Sequence, residues 1–127
     1  HAIIEAAGWR ACGPTLAELW ADPGEPVAEG TSDPALAIAR QVQAGRGGNR
    51  SFHDRGAVVV AEARAVQARA AVLWFIEEDE ALVWHLPAQR RALEAAGIPV
   101  LALTRRDWRG TDGLGAEIAA FLADLDA

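Results

Sequence analysis

Residues 72–103 read VLWFIEEDEALVWHLPAQRRALEAAGIPVLAL, and this stretch restricts the fold more than any other, because two short apolar runs bracket one helical pattern. The first run, residues 71–76, is apolar on both alternating faces and stops abruptly at Glu77, Glu78, Asp79 and Glu80. That is the pattern of a strand covered on both sides within a parallel sheet. Over residues 82–96 the period changes. Leu86, Leu93 and Ala96 recur at helical spacing, Pro87 suits a first turn, and Gly97 supplies the left-handed residue that stops a helix. A second apolar run, residues 98–103, follows at once. Parallel strands need a crossover rather than a tight turn, so the stretch predicts a right-handed βαβ unit. Ligands of such sheets meet the loops at the carboxyl ends of the strands, which puts the acidic loop on the functional edge.

The expected fold class is therefore α/β: a three-layer parallel sheet, Rossmann-like or flavodoxin-like, with helices on both faces. At 127 residues, the chain is expected to form a single α/β domain over residues 1–127, without help from a disulfide or a metal. No apolar run approaches the length of a membrane span, so no membrane partner is expected. The formal charge of −6 argues against nucleic acid, which calls for a basic face. All 12 basic residues are Arg, and Tyr is absent, which removes a Schiff-base lysine and a tyrosine acid from the possible chemistry. Cys12, the single cysteine, excludes an internal disulfide, fits a reducing, cytoplasmic setting and cannot build a metal site alone.

The chain opens on HAIIEAAGWR, which lacks the charged start and long apolar core of a signal peptide. Ile3, Ile4 and Ala7 carry helical spacing and Gly8 ends it, so the sheet is expected to lack its first strand, which would lie upstream in a larger multi-domain subunit. Residues 9–12 read as a strand closed by Gly13 and Pro14, residues 15–20 as a short helix, and residues 22–32 as a loop. Asp33 and Pro34 form an N-cap and first-turn pair for a helix to residue 44, with Leu36, Ala39 and Val42 inward. A helix over residues 51–68 would place Phe52, Val59, Ala63 and Val66 on one side. Residues 104–110 are polar and sit at a strand's carboxyl end. Thr111 or Asp112 can cap a last helix whose stripe is Leu114, Ile118, Phe121, Leu122 and Leu125.

Several groups are candidates for chemistry, each with a plainer reading beside it. The acids of residues 77–80 can supply a general base or bind a cation; equally, they form a solvated loop whose charge suits a helix N-terminus. Four adjacent acids alternate in direction and cannot all converge. His85 is a candidate proton carrier or a partly exposed structural histidine. Residues 45–55, GRGGNRSFHDR, set Arg46, Arg50 and Arg55 among glycines ahead of a helix, where backbone amides and guanidinium forks can hold a phosphate or merely form a solvated turn. The spacing and lysine of a nucleotide P-loop are missing, and so are a catalytic triad, a dinucleotide-binding glycine fingerprint and metal-ligand spacing among the three histidines. Trp74, Trp84 and Trp108 fall near the inferred edge, where they either wall a pocket or pack ordinarily.

The order of these pieces resembles the carboxyl-terminal domain of the 2-hydroxyacyl-CoA dehydratase and benzoyl-CoA reductase subunit family. The resembling segments are HAIIEAAGWR, DPALAIARQ, the arginine-bearing residues 50–55, VLWFI, HLPAQRRALEAAGIPVLAL and GAEIAAFLADL, of which LPAQRRALEAAGIPVLAL and EIAAFL are the most specific. The resemblance implies a subunit of a heterodimer that binds an acyl-CoA thioester and carries an iron–sulfur cluster fed by an ATP-dependent activator. Under it, Glu78, Asp79 and His85 border the acyl end as catalytic candidates, while Arg46, Arg50 and Arg55 meet the CoA phosphates. The family places a cluster cysteine just after the strand equivalent to residues 72–76; here Asp79 stands there, or Glu78 with a slip of one. No cofactor is therefore expected in this domain itself. Near the end, where the family tends to a Gln and a Thr-Arg pair, this chain has Gly113, Ala116 and Glu117, a negative residue in place of a positive one. Two readings follow: a domain of an active, cluster-dependent subunit, or a diverged, cluster-free subunit that serves as a structural or ligand-binding half.

Overall fold

Pairing of the two apolar runs organises the structure, a computed structural model that describes residues 1–13, 18, 24–44 and 54–126. Along the chain the elements are α1 (Ala2–Ala6), α2 (Pro34–Ala44), α3 (Arg55–Ala65), β1 (Ala71–Ile76), a 3₁₀ helix (Leu82–His85), α4 (Leu86–Ala95), β2 (Val100–Arg106) and α5 (Leu114–Asp124). The class is mixed α/β, and among the described residues β1 and β2 form a two-stranded parallel sheet. The chain divides into two compact units, His1–Gly13 with Arg55–Ala127, and Pro14–Asp54. Among the described residues no helix is long and apolar enough to cross a membrane.

In the first unit, β1 has the bounds its composition predicts, and it pairs from Ala71 opposite Val100 to Ile76 opposite Arg106. The crossover differs in detail from one continuous helix: Leu82–His85 is a 3₁₀ turn, and the α-helix begins at Leu86 with Pro87 in its first turn. It ends in a Schellman motif. Gly97 adopts φ +77°, its N–H donates to Glu94 O at 3.0 Å, and the Ile98 N–H donates to Leu93 O at 3.0 Å. Ile98 and Leu93 are both buried, as that motif's apolar contact requires. This explains why β2 starts two residues later than the apolar run. The Ile98 amide is already spent on the helix end and Pro99 has no N–H, so the first link to β1 is Ala71 N–H to Pro99 O at 2.9 Å. β2 then continues past Leu103, because Arg106 still pairs with Ile76.

Strand alternation divides the packing. Leu101 and Leu103 join Val72 in a cluster with the buried Leu114, Ile118 and Leu122 of α5, flanked by Phe121, Leu125, Trp9, and Ile3 and Ile4 of α1. The stripe predicted for α5 is thus its inward face. α4 also packs on β2, and α3 packs on α4. α3 is shorter than the expected helix: residues 51–53 lie outside the described residues, and Gln67, at φ +54°, turns the chain after Val66. Val59 and Ala63 are half-buried as expected, but Val66 is exposed and Gly56 is the buried residue of that helix.

Two further expectations are corrected. Residues 9–12 are not a strand; Gly8, at φ +83°, redirects the chain, and Trp9 packs into the α5 cluster under the Arg69 guanidinium, 4.5 Å from its ring centre. In the second unit, Asp33 does cap α2, its Oδ1 accepting the Leu36 N–H at 3.0 Å. The inward face is rotated, however. Ala37 is buried and Gln41 half-buried at i and i+4, whereas Leu36 is 45% and Val42 65% exposed and Ala39 is exposed as well. The expected short helix at residues 15–20 falls almost wholly outside the described residues.

Leu93 has no accessible surface at all. Leu93→Ala should lower unfolding stability by about 2–5 kcal/mol, through lost apolar burial and the cavity left between α4 and its neighbours. Urea unfolding of the two proteins measures this, and a loss below about 1 kcal/mol would mean the site collapses around the smaller residue.

Candidate functional site

Parallel pairing brings the carboxyl ends of β1 and β2 to one edge, and the Glu77 N–H donates to Arg106 O at 3.0 Å to close it. From there the β1–α4 loop folds tightly on itself. Ile76 O accepts the Asp79 N–H and Glu78 O accepts the Glu80 N–H, both at 3.1 Å. Asp79 Oδ1 accepts the Leu82 N–H at 3.0 Å, so this half-buried carboxylate starts the 3₁₀ helix. Glu77, Glu78 and Glu80 are exposed. His85, the last residue of the 3₁₀ helix, is exposed too, and no hydrogen bond joins its ring to either Glu78 or Asp79. The three catalytic candidates therefore share one connection without forming an acid–base pair.

The end of β2 carries the denser polar arrangement. Between Trp74 and Ile76 the register slips by one, leaving an extra residue on β2. Arg105 takes φ +54°, an unusual value for a residue with a Cβ, as the chain accommodates that bulge. The result separates two adjacent arginines. Arg105 is 82% exposed and, among the described residues, reaches the exposed Glu77 at 3.5 Å, while the Arg106 side chain is 18% exposed and turns toward α5. Its Nη2 pairs with Glu117 Oε1 and its Nη1 lies 3.5 Å from Asp112 Oδ2. The hydrogen bond to Glu117, with the charges of both carboxylates, raises the Arg106 pKa further.

Asp107 and Asp112 shape the turn that follows. Asp107 accepts a hydrogen bond from Thr111 Oγ1 and another from the Arg109 N–H at 3.1 Å, and these, the Thr111 bond above all, lower its pKa. Asp112 loses some hydration, which by itself would raise its pKa; the N–H groups of Asp107 and Leu114 together with Arg106 outweigh that and lower it. The expectation that Thr111 or Asp112 would be the cap is met only indirectly. Gly113, at φ +88°, is the N-cap of α5, and Asp112 reaches past it to the Leu114 N–H at 3.3 Å.

Chemically, Asp79, Asp107, Asp112 and Glu117 are committed to holding backbone or Arg106, which makes them poor general bases. Arg105 and Arg109 remain at the surface, the latter with its guanidinium 5.0 Å from the Trp108 ring centre. An anionic group could be met there. The three tryptophans do not wall an enclosed pocket: Trp74 is 44%, Trp84 82% and Trp108 61% exposed. Of the phosphate candidates, Arg46 and Arg50 lie outside the described residues, and Arg55 is the half-buried first residue of α3. A groove of about 310 Å³ lies in the second unit between the 25–33 loop and α2, lined by residues such as Glu25, Asp33, Arg40 and Gln41; it holds none of the sequence-predicted site residues. The Arg106–Glu117 pair was not legible from spacing, since the bulge decides which of the adjacent arginines turns inward. No protein-family model, curated protein or solved structure matches the chain.

Two outcomes test this edge. Arg105→Gly should leave stability unchanged or raise it by up to about 1 kcal/mol, since a left-handed backbone costs L-residues about 1–2 kcal/mol and an added glycine gives back part of that. Arg105→Val should destabilise, and equal effects of the two would show that the bulge stores no strain. Asp107 and Asp112 have lowered folded-state pKa values, so their stabilisation is full above the ordinary aspartate pKa and disappears as pH falls through the folded value. Asp107→Asn should thus lower the thermal midpoint at about pH 7, and that difference should shrink toward about pH 2. A constant difference across that range would show that the charge of Asp107 is not what stabilises the turn.

Proposed function

We propose that this domain belongs to a subunit of the 2-hydroxyacyl-CoA dehydratase and benzoyl-CoA reductase type, and serves there as a cluster-free half that binds an acyl-CoA thioester. In this reading the sheet is the carboxyl-terminal part of a Rossmann-like, three-layer domain. The parallel crossover, the α1 and α5 side chains gathered on one strand face, and the packing of α3 on α4 support that architecture. A homologous subunit would be the partner, in the cytoplasm, and an ATP-dependent activator would be needed only by an active, cluster-bearing form.

The observation that carries the cluster-free version is the use made of Asp79. In the resemblance it occupies the cysteine position, yet its carboxylate accepts the Leu82 N–H and begins a helix. The donors present do not suit an iron–sulfur cluster. Such clusters favour thiolates over carboxylates, and the chain's single thiol, Cys12, is at the far end of the sequence from this loop. Chemistry routed through Glu78, Asp79 and His85 is correspondingly less favoured than binding, because among the described residues no carboxylate is hydrogen-bonded to the His85 ring. The polyanionic end of CoA would meet arginines: Arg50 and its neighbours Arg46 and Arg55 in the glycine-rich segment are the candidates by composition.

Calorimetric titration of an acyl-CoA into the intact protein, with any subunit that co-purifies, tests this. Binding is expected, and Arg50→Ala should weaken it by about tenfold or more, the loss of one charge-assisted hydrogen bond of about 1.5–3 kcal/mol. Unchanged affinity would remove Arg50 from the site, and absence of binding would remove the acyl-CoA reading. Anaerobic iron and acid-labile sulfide assays on the same material separate the two versions: stoichiometric iron and sulfide held by this subunit would overturn the cluster-free one.

A further inference from the structure

The strained residue at the end of β2 is also an exposed one. Arg105 stands at φ +54°, a conformation that glycine takes freely, and its guanidinium is delivered to solvent. Its pair with Glu77, at 3.5 Å between two exposed side chains, contributes little to stability. Residues held in sparsely populated backbone regions gather at ligand sites, where the strain fixes a side chain for use. The same strand end leaves two more groups at the surface. Trp108 is 61% exposed, and the Arg109 guanidinium lies 5.0 Å from its ring centre. Among the described residues no carboxylate pairs with Arg109.

The turn that carries these groups is held by its own hydrogen bonds. The Asp107 carboxylate accepts the Arg109 N–H at 3.1 Å and the Thr111 hydroxyl, the Gly110 N–H donates to Asp107 O at 2.9 Å, and the Asp107 N–H donates to Asp112 Oδ2 at 3.2 Å. A platform fixed in this way loses little freedom on binding. The same contacts settle its charge. Asp107 is met by donors, and Asp112 and Glu117 face Arg106, so the guanidiniums left over at this end of β2 are those of Arg105 and Arg109. The acids that oppose an anion are Glu77, beside Arg105, and the exposed Glu78 and Glu80 of the neighbouring loop. They limit the charge the turn can take: a single phosphate group is matched by two arginines, whereas a polyphosphate sets further negative charge against the acidic loop.

We propose that this turn binds a purine nucleoside monophosphate, with the base stacked on Trp108 and the phosphate held by Arg105 and Arg109. Indole and guanidinium planes both stack on bases, and a guanidinium fork matches two oxygens of a phosphate. Arg109 already lies against the indole, so adjacent residues meet base and phosphate. The bulge is what brings the second arginine to the same side of the problem. Without it Arg105 would lie on the Leu101 and Leu103 face that packs against α5. The site is separate from the acyl-CoA reading, which assigns the CoA phosphates to the glycine-rich segment, and it does not rest on that reading.

Calorimetric titration of AMP into the full chain tests this, with a dissociation constant of about 10–500 μM expected for an open site of this size. Adenosine and ribose 5-phosphate, each presenting half of the ligand, should bind at least about tenfold more weakly, and ATP should bind more weakly than AMP. Trp108→Ala should raise the AMP dissociation constant about tenfold, while Trp108→Phe retains most of the affinity. Arg105→Gly should also weaken AMP binding about tenfold yet leave the thermal midpoint unchanged or higher, since it removes the guanidinium and the strain together. A merely structural role of Arg105 would not separate the two readouts. Glu77→Gln should tighten binding about threefold by releasing Arg105. Circular dichroism confirms that each variant is folded, and Arg109→Gln, expected to weaken binding about tenfold, is an independent check on the phosphate contact. No AMP binding up to about 5 mM, adenosine binding as tightly as AMP, or unchanged affinity in Trp108→Ala or in both arginine variants overturns the proposal. Loss of AMP binding in Trp108→Ala with acyl-CoA binding intact supports a separate site.

Discussion

Two parallel strands cannot be joined by a tight turn, and that single geometric requirement accounts for much of the first unit. The chain leaving β1 must travel back along the sheet before β2 can start, so α4 is a necessity of the pairing rather than an addition to it. Its length and its end are then fixed by what β2 needs. The Schellman motif at Gly97 stops the helix, consumes the Ile98 amide, and delivers Pro99, whose carbonyl takes the first link from Ala71. The same pairing sets both carboxyl ends on one edge, so the acidic loop after β1 and the arginine-rich turn after β2 become neighbours although about 30 residues separate Glu77 from Asp107 in the chain.

At that edge the extra residue of β2 has the largest consequence. A strand without the bulge would set Arg105 opposite Ile76 and Arg106 opposite Glu77, with Arg105 on the face of Leu101 and Leu103 that packs against α5. The bulge leaves Arg105 in solvent and commits Arg106 to Glu117 and Asp112, tying the end of the strand to the first turn of α5. Glu117 and the turn carboxylates suit the positive end of that helix as well. The backbone strain at Arg105 is offset by a polar network that fixes where α5 begins, and α5 brings Leu114, Ile118 and Leu122 onto Leu103. Electrostatics at the rim and apolar burial beneath it are thus mechanically linked.

This division explains what the sequence made legible. Features decided within a few residues were readable: the bounds of β1, Gly97 as a helix stop, the Asp33 cap and the inward stripe of α5. Features decided by a distant neighbour were not. Residues 9–12 have strand-like composition, but Trp9 is drawn into the α5 cluster, and a strand exists only where another lies in register beside it. In α2 the periodicity favoured Leu36 and Val42, while the small Ala37 is the residue that is buried. The candidate site follows the same rule. Its location at the strand ends was legible from topology and its acids from composition; that Asp79 caps a helix and that Glu117 holds Arg106 depended on turn geometry and on a one-residue slip between strands.

The chemistry of the edge follows from where its carboxylates are spent. A general base needs a carboxylate whose lone pairs are available and whose pKa is raised toward neutrality, and Asp107 and Asp112 are instead pushed below the ordinary aspartate range by donors that hold them in place. On the proposed reading, replacement of a cluster cysteine by Asp79 fits the same pattern. A soft ligand gives way to a hard acceptor, which a backbone N–H satisfies and a cluster iron would not favour. Of the exposed side chains at the edge, Arg105 and Arg109 beside Trp108 can attract and orient an anion, while Glu78, Glu80 and His85 are exposed as well and no hydrogen bond joins the His85 ring to Glu78 or Asp79. On the proposed reading, such an edge holds a ligand, with Asp107, Asp112 and Glu117 spent on fixing the turn and helix start beside Arg105 and Arg109.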